Sequence, residues 1–317
     1  MMVATSDDRG LTWSPARPLV DRQPGTLAEG VVTATGLHVH DGRMIAYWGY
    51  YDYTEDGLRR LYEQTTGICG RIDTSVTWHG EIFTGISVSD DGGATWRHVG
   101  RIDDITSYIS PHQLRSGRLV LPGNNWYPWT DDPLGIEGWT VASTPGLPEG
   151  YRDDPQGIWV ARDFRGDGFP CCEGSCFQTD DGVVHMMLRS EIDRLAVAES
   201  RDNGVTYSAP ALTEFTDCHC RFHFGRLPDG RFFATSSPAP GSLRTPMVLA
   251  TSQDGVQFDR HYVLGNESDR PPRAVGIQKF GRYGYPSWHI MDDMLFVIYS
   301  IAKEDIALVR VPLGALR

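Results

Sequence analysis

His38 and His40 flank Val39 just ahead of an Asp41-Gly42 turn. Side chains alternate between faces along an extended strand, so these two imidazoles share one side. An imidazole can take or give a proton near neutrality. His112 and His223 hold comparable places further on, and His223 follows Arg221 by two residues. Removing the proton at C5 of a uronic acid requires a base, together with positive charge to stabilise the enolate-like intermediate. His38 or His40 with Arg221 could meet that need in a uronate-directed lyase. Each histidine taken singly equally suits a structural place with its hydrogen bonds satisfied. The aromatic run at 47–53 and the segment at 124–129, which contains Trp126, directly follow strand-like stretches. Aromatic faces beside amides suit sugar rings, and a β core consumes the same residues.

The elements that must carry these groups are repeated. The pattern S-x-D-x-G-x-T-W/Y occurs at 6–13, 89–96 and 200–207, with a shortened copy at 252–258. Each copy reads as a hairpin turn. The aspartate accepts backbone N–H groups, the glycine supplies a left-handed backbone, and the aromatic packs under the next strand. Recurrence of this kind marks a repeat architecture. Asp8, Asp91 and Asp202 are therefore expected to hold turns rather than bind metals or donate protons. A second periodic signal, a pair of turn residues before an apolar run, appears at 41–42, 116–117, 181–182, 229–230 and 292–293. Those are five inner hairpins, and the first box precedes them all. Residues 55–65 give the one clear helical stretch.

These copies resemble the Asp-box of the sialidase superfamily, and the resemblance runs in order along nearly the whole chain. It implies a β-propeller, with each box joining the two outer strands of a blade on the face away from the active site. The expected fold is an all-β, six-bladed sialidase-like β-propeller with an incomplete first blade. A five-bladed ring is the alternative, with residues 1–20 completing the last blade. The resemblance also implies a site. Glu173 stands where the family carries a glutamate, and Arg189, sixteen residues on, matches an arginine of the same blade. Arg244 matches a further arginine ahead of a box, and Tyr285, in Gly284-Tyr285-Pro286-Ser287, matches the nucleophilic tyrosine. The arginines would clamp a carboxylate with planar forks. Tyr285 would attack the anomeric carbon with Glu173 as its base.

The match is not complete. Sialidases carry a third arginine in an R-I-P context and an acid/base aspartate on the first blade. If residues 30–50 are taken as that blade, Val32 holds the arginine's place. Propellers that act on rhamnose-capped glucuronate are similar in general plan and use a histidine or a His/Tyr pair, for which His38, His40, Arg221 and His223 are the candidates.

A single domain over 1–317 is expected, because no linker divides the chain. With 35 glycines and 20 prolines it has the composition of short strands and many turns. A net charge of −12 argues against nucleic acid or an anionic membrane surface as partner. It leaves room for an acidic glycan, since a local arginine cluster outweighs a distant screened field. No apolar run is long enough for a membrane-spanning helix. No signal peptide is read at the start, so the default expectation is cytoplasmic. The six cysteines lack zinc-ribbon spacing, and neither metal nor cofactor is expected. Three functions stay open: a sialidase-like glycoside hydrolase acting on a terminal acidic sugar, a lyase or rhamnosidase-like propeller using a histidine, and a non-catalytic glycan-binding propeller.

Overall fold

The computed structural model describes residues 1–20, 29–63, 79–123, 126–142, 171–190, 193–216, 218–241, 243–266, 273–274 and 281–316. The short strands β1 (Met2–Val3) and β2 (Arg17–Pro18) pair only with each other. The first four-stranded sheet comprises β3 (Val31–His40), β4 (Arg43–Tyr51), β5 (Ile82–Ser89) and β6 (Arg97–Asp103). The second comprises β7 (His112–Gln113), β8 (Leu119–Val120), β9 (Tyr127–Thr130) and β10 (Thr140–Ala142). The third holds β11 (Cys171–Gln178), β12 (Val184–Ser190), β13 (Arg194–Ser200) and β14 (Ala211–Thr216). The fourth holds β15 (His223–Arg226), β16 (Phe232–Ser236), β17 (Met247–Ser252) and β18 (Phe258–Gly265). The fifth has three strands, β19 (Tyr283–Met291), β20 (Met294–Ile301) and β21 (Asp305–Pro312). All are antiparallel meanders, which makes a nearly all-β propeller of five blades among the described residues.

The β1–β2 hairpin belongs to neither neighbouring sheet but touches both. Arg9 pairs with Asp292 at 2.6 Å in the fifth blade, while Arg17 donates to the Gly93 carbonyl in the first. Met1, Leu19 and Val20 pack on Trp48, Tyr50 and Phe83. The hairpin thus bridges the first and fifth blades, and the count among the described residues is five blades, the alternative to the six-bladed plan.

The boxes do what their residue types dictate. In the first blade Ser89 Oγ donates to Asp91 Oδ1 at 2.7 Å and accepts the Gly93 N–H at 2.8 Å. Asp91 accepts the Thr95 N–H at 2.8 Å and the Thr95 hydroxyl at 2.6 Å. The same set recurs around Asp8 and Asp202. Hydrogen bonds from Thr12 and Thr95 hold the carboxyls of Asp8 and Asp91 down at about 2, so each box carries a fixed charge. The second blade has an irregular box that the pattern misses. There Asp132 accepts N–H groups of Leu134, Ile136 and Glu137, and Trp139 donates to the Gly135 carbonyl at 3.1 Å.

The core lies in the seams between blades. Phe177 and Leu195 of the third blade meet Phe224, Phe232 and Ala234 of the fourth, all buried. Each of the larger of these side chains contributes roughly 1.5–3 kcal/mol by its burial. The helix, Glu55–Glu63, follows β4; Thr54 caps it by accepting the Gly57 N–H at 3.0 Å, and Glu55 and Asp56 suit its positive end. No helix of the described residues is long and apolar enough to cross a membrane.

Candidate functional site

Two β-bulges and two loops aim five side chains at one place. On β11 the register slips between Cys171 and Gly174, so Glu173 sits in the bulge opposite Arg189 of β12. On β19 it slips between Gly284 and Ser287, which pushes Tyr285 out of the ladder. Tyr285 takes φ +56°, and Arg244 in the loop before β17 takes φ +55°. Left-handed backbone at a non-glycine residue is costly and gathers at functional sites. The Arg244 loop is tied to the fifth blade, since its carbonyl accepts the Tyr283 N–H at 3.0 Å. Arg221 reaches in from the loop that leads to β15.

The group is closely coupled. Arg189 Nη1 donates to Glu173 Oε2 at 2.9 Å, and the Tyr285 hydroxyl donates to Glu173 Oε1 at 3.3 Å. Arg244 Nη2 donates to the His219 carbonyl at 2.7 Å. The Arg221 guanidinium lies 5.9 Å from the centre of the Tyr285 ring, and Lys303 Nζ lies 5.6 Å from it. Glu173, Arg189, Arg221 and Arg244 are all buried, whereas Tyr285 is only partly buried. Burial works against ionising Glu173, but the charge and hydrogen bond of Arg189, aided by Arg221 and Arg244, outweigh it and hold the carboxyl below 4.5. Tyr285 moves the other way. Burial and the Glu173 charge push it well above 10, against the pull of Arg189 and Arg244. At rest the pair is therefore a neutral phenol donating to a carboxylate, the starting state for a base-assisted tyrosine nucleophile.

Other residues nearby escape a reading of the chain alone. Tyr108, from the loop before β7, packs edge-on against Tyr285 with ring centres 6.3 Å apart. Burial, reinforced by Glu173, pushes the Tyr51 phenol up to about 12. Cys220 lies beneath the site. A hydrogen bond from Cys218 and the charges of Arg244 and Arg189 lower its thiol against the effect of burial. Only Tyr51 left a trace in sequence, as part of the aromatic run at 47–53.

His38 and His40 do not join this cluster, which corrects their selection as catalytic candidates. Val31 of β3 pairs with Tyr51, and Tyr51 faces Glu173. His38 and His40 lie at the other end of that strand, about 23–30 Å along it. There Arg43, paired with His40, bridges to Asp90 of a box at 3.0 Å. The His38 ring contacts the Pro133 carbonyl at 2.8 Å and stacks on His40. Alternation puts both histidines on one face but is silent about which end of the strand holds the site. Trp126 is corrected too: it is buried in the seam with Ile105 and Leu121 rather than at a binding rim. Asn124, Asn125 and Cys69 lie outside the described residues. His223 sits below Arg221 on β15, buried, its ring 5.1 Å from that of Trp288. The boxes stay apart: Asp8, Asp91 and Asp202 accept hydrogen bonds within their own turns. Among the described residues no three His, Cys, Asp or Glu side chains converge as metal ligands would.

The sequence profile of the BNR repeat-like domain matches residues 71–298. The chain belongs to that family. Its fold is shared with solved sialidase-like structures at low identity. A protein of unknown function from Dyadobacter fermentans superposes with a TM-score of 0.61 at 17% identity, over 98% of this chain and 82% of its own. A leech intramolecular trans-sialidase gives 0.62 at 12%, over 99% of this chain and 63% of the leech chain. A Trypanosoma rangeli sialidase gives 0.61 at 16%, over 99% and 49%. This chain therefore spans less than two thirds of the length of those two enzymes. No curated protein matches it by sequence.

Proposed function

We propose that this member of the BNR repeat-like domain family is a sialidase-type exo-glycosidase acting on a terminal acidic sugar of a glycan, with Tyr285 as nucleophile and Glu173 as its base. The hydrogen bond from the Tyr285 hydroxyl to a Glu173 carboxylate that Arg189 keeps ionised is the observation that carries the reading. In the first step the Tyr285 oxygen bonds to the anomeric carbon and its proton passes to Glu173 Oε1. The bond to the leaving oxygen breaks, and that oxygen takes a proton from a solvent water, which is left as hydroxide. A second water then attacks the anomeric carbon and cleaves the glycosyl–tyrosine bond; its proton neutralises the hydroxide, and Glu173 returns its own proton to the phenolate. A neutral nucleophile suits a substrate that carries its own carboxylate, which would repel an aspartate or glutamate. Arg189 and Arg244 would draw that carboxylate beside Tyr285, where charge-assisted bonds gain from the low dielectric. The leech and trypanosomal neighbours are a trans-sialidase and a sialidase, so a sialic acid is the first sugar to try. The histidine-based lyase loses support, because His38 and His40 stand at the opposite end of β3 from Arg221.

Incubation with 3′-sialyllactose, which the leech enzyme was soaked with, and with a glucuronide-capped oligosaccharide tests this. Release of a free, saturated acidic sugar is expected, reduced roughly 100-fold or more by Tyr285→Phe. An unsaturated uronate product would instead establish a lyase. Glycan binding without turnover, indifferent to Tyr285→Phe, would make the protein a lectin-like propeller.

A further inference from the structure

Arg221 stands apart from the other two arginines of the site. Arg189 is engaged by Glu173 and Arg244 by the His219 carbonyl. The Arg221 side chain is nearly as buried as theirs, at 5% exposure, yet among the described residues no carboxylate forms an ion pair with it. Its guanidinium lies over the Tyr285 ring instead of meeting the Glu173 carboxylate. Two residues on, at the start of β15, His223 is close enough for the Arg221 charge to act on its ring; it is 6% exposed, and its Nδ1 lacks a partner. Burial pulls Arg221 down to about 10, with Glu173 and Tyr285 opposing. Burial and the Arg221 charge keep the His223 ring neutral. Glu173, whose charge Arg221 feels, is already bonded by Arg189, so Arg221 keeps a buried charge with no ion pair of its own, which a bound anion would offset. A planar fork beside a neutral imidazole offers several N–H donors to an oxyanion.

We infer that Arg221 and His223 form a second anion subsite beside Tyr285, so that the substrate is a doubly anionic sugar, carrying a sulfate, phosphate or second carboxylate besides the group bound by Arg189 and Arg244. The inference rests on the acidic-sugar reading for the first anion only. It separates a generic acidic glycan from a decorated one, and it makes Arg221 a specificity-determining residue rather than a member of the nucleophile–base pair.

Titration calorimetry on the full chain tests it with matched pairs of probes. These are the methyl glycoside of N-acetylneuraminate with its 9-sulfate and 9-phosphate, and methyl glucuronide with its 2-sulfate. At least one doubly anionic probe should bind about tenfold or more tighter than its parent. Arg221→Ala should bring that ratio to within about twofold, while Arg221→Lys keeps part of it. Melting curves of both variants check that they fold, and removing an unpaired buried charge should not lower the melting temperature. The inference is overturned if no second anion tightens binding, if the advantage survives in Arg221→Ala, or if Arg221→Ala weakens parent and decorated probe equally. The last outcome would put Arg221 on the same carboxylate as Arg189. Failure of the glycosidase reading looks different: a decorated probe binds through Arg221, but no glycoside is cleaved.

Discussion

The hydroxyl of Tyr285 donates to Oε1 of Glu173 across 112 positions of sequence, at 3.3 Å, and both residues sit in β-bulges on the inner strands of different blades. Each bulge lifts one residue out of alternation and aims it at the shared site, and the left-handed backbone of Tyr285 completes the turn. The strain is borne by packing around it, since Tyr283 beside it is buried against Tyr299 and Leu295.

If Tyr285 and Glu173 act as one unit, their substitutions should not add. Tyr285→Phe and Glu173→Gln should each lower kcat by roughly 100-fold or more, and the double variant should fall little below the worse single one. Additive losses in steady-state kinetics would mean that the two residues act separately.

Glu173 must be ionised to take the phenolic proton, and its arginine neighbours hold it below 4.5. The acid limb of kcat/KM should therefore lie below pH 4.5. Arg189→Gln removes the largest stabilising charge, so the limb should move to higher pH along with a drop in rate. A pH–rate profile unmoved by Arg189→Gln would contradict the coupling.

The boxes should bear on stability and not on chemistry. Ser200 is fully buried; its hydroxyl bonds Asp202 at 2.7 Å and accepts the Gly204 N–H at 2.8 Å. Ser200→Ala should cost about 1–2 kcal/mol in denaturant unfolding and leave kcat/KM of the folded protein unchanged. A changed kcat/KM at unchanged stability would reverse the assignment.

His112 should make the fold sensitive to acid. Burial pushes its imidazole down from 6.5 to about 4 in the folded protein. The unfolded chain binds the proton first, so stability is fully present above pH 6.5 and is lost as pH falls toward 4. His112→Gln should remove about one proton from the slope of stability against pH in that window. An unchanged slope would show that other groups set the acid limit.

The propeller was legible because a box turn needs serine, aspartate and glycine at set distances, and nothing about distant packing alters that need. The second-blade box was not legible. Its glycine, Gly135, and aromatic, Trp139, fall later than the pattern allows, although Asp132 still gathers the N–H groups of its turn. Glu173, Arg189, Arg244 and Tyr285 were legible only through the resemblance to sialidases, whose site residues they match in order. The approach of Arg221 to the Tyr285 ring depends on the path of the loop before β15, which no local pattern specifies. His38 and His40 show the converse limit: strand periodicity reports a face, while the site occupies one end of the propeller.

The central claim is that Tyr285 becomes covalently bound to the sugar. Reaction with 2,3-difluorosialic acid, the compound that forms a covalent intermediate in the Trypanosoma rangeli sialidase, followed by peptide mass spectrometry, tests it most directly. The account predicts one adduct per chain, on Tyr285, absent from Tyr285→Phe. An adduct on another residue, or cleavage of 3′-sialyllactose with no adduct at Tyr285, would contradict it.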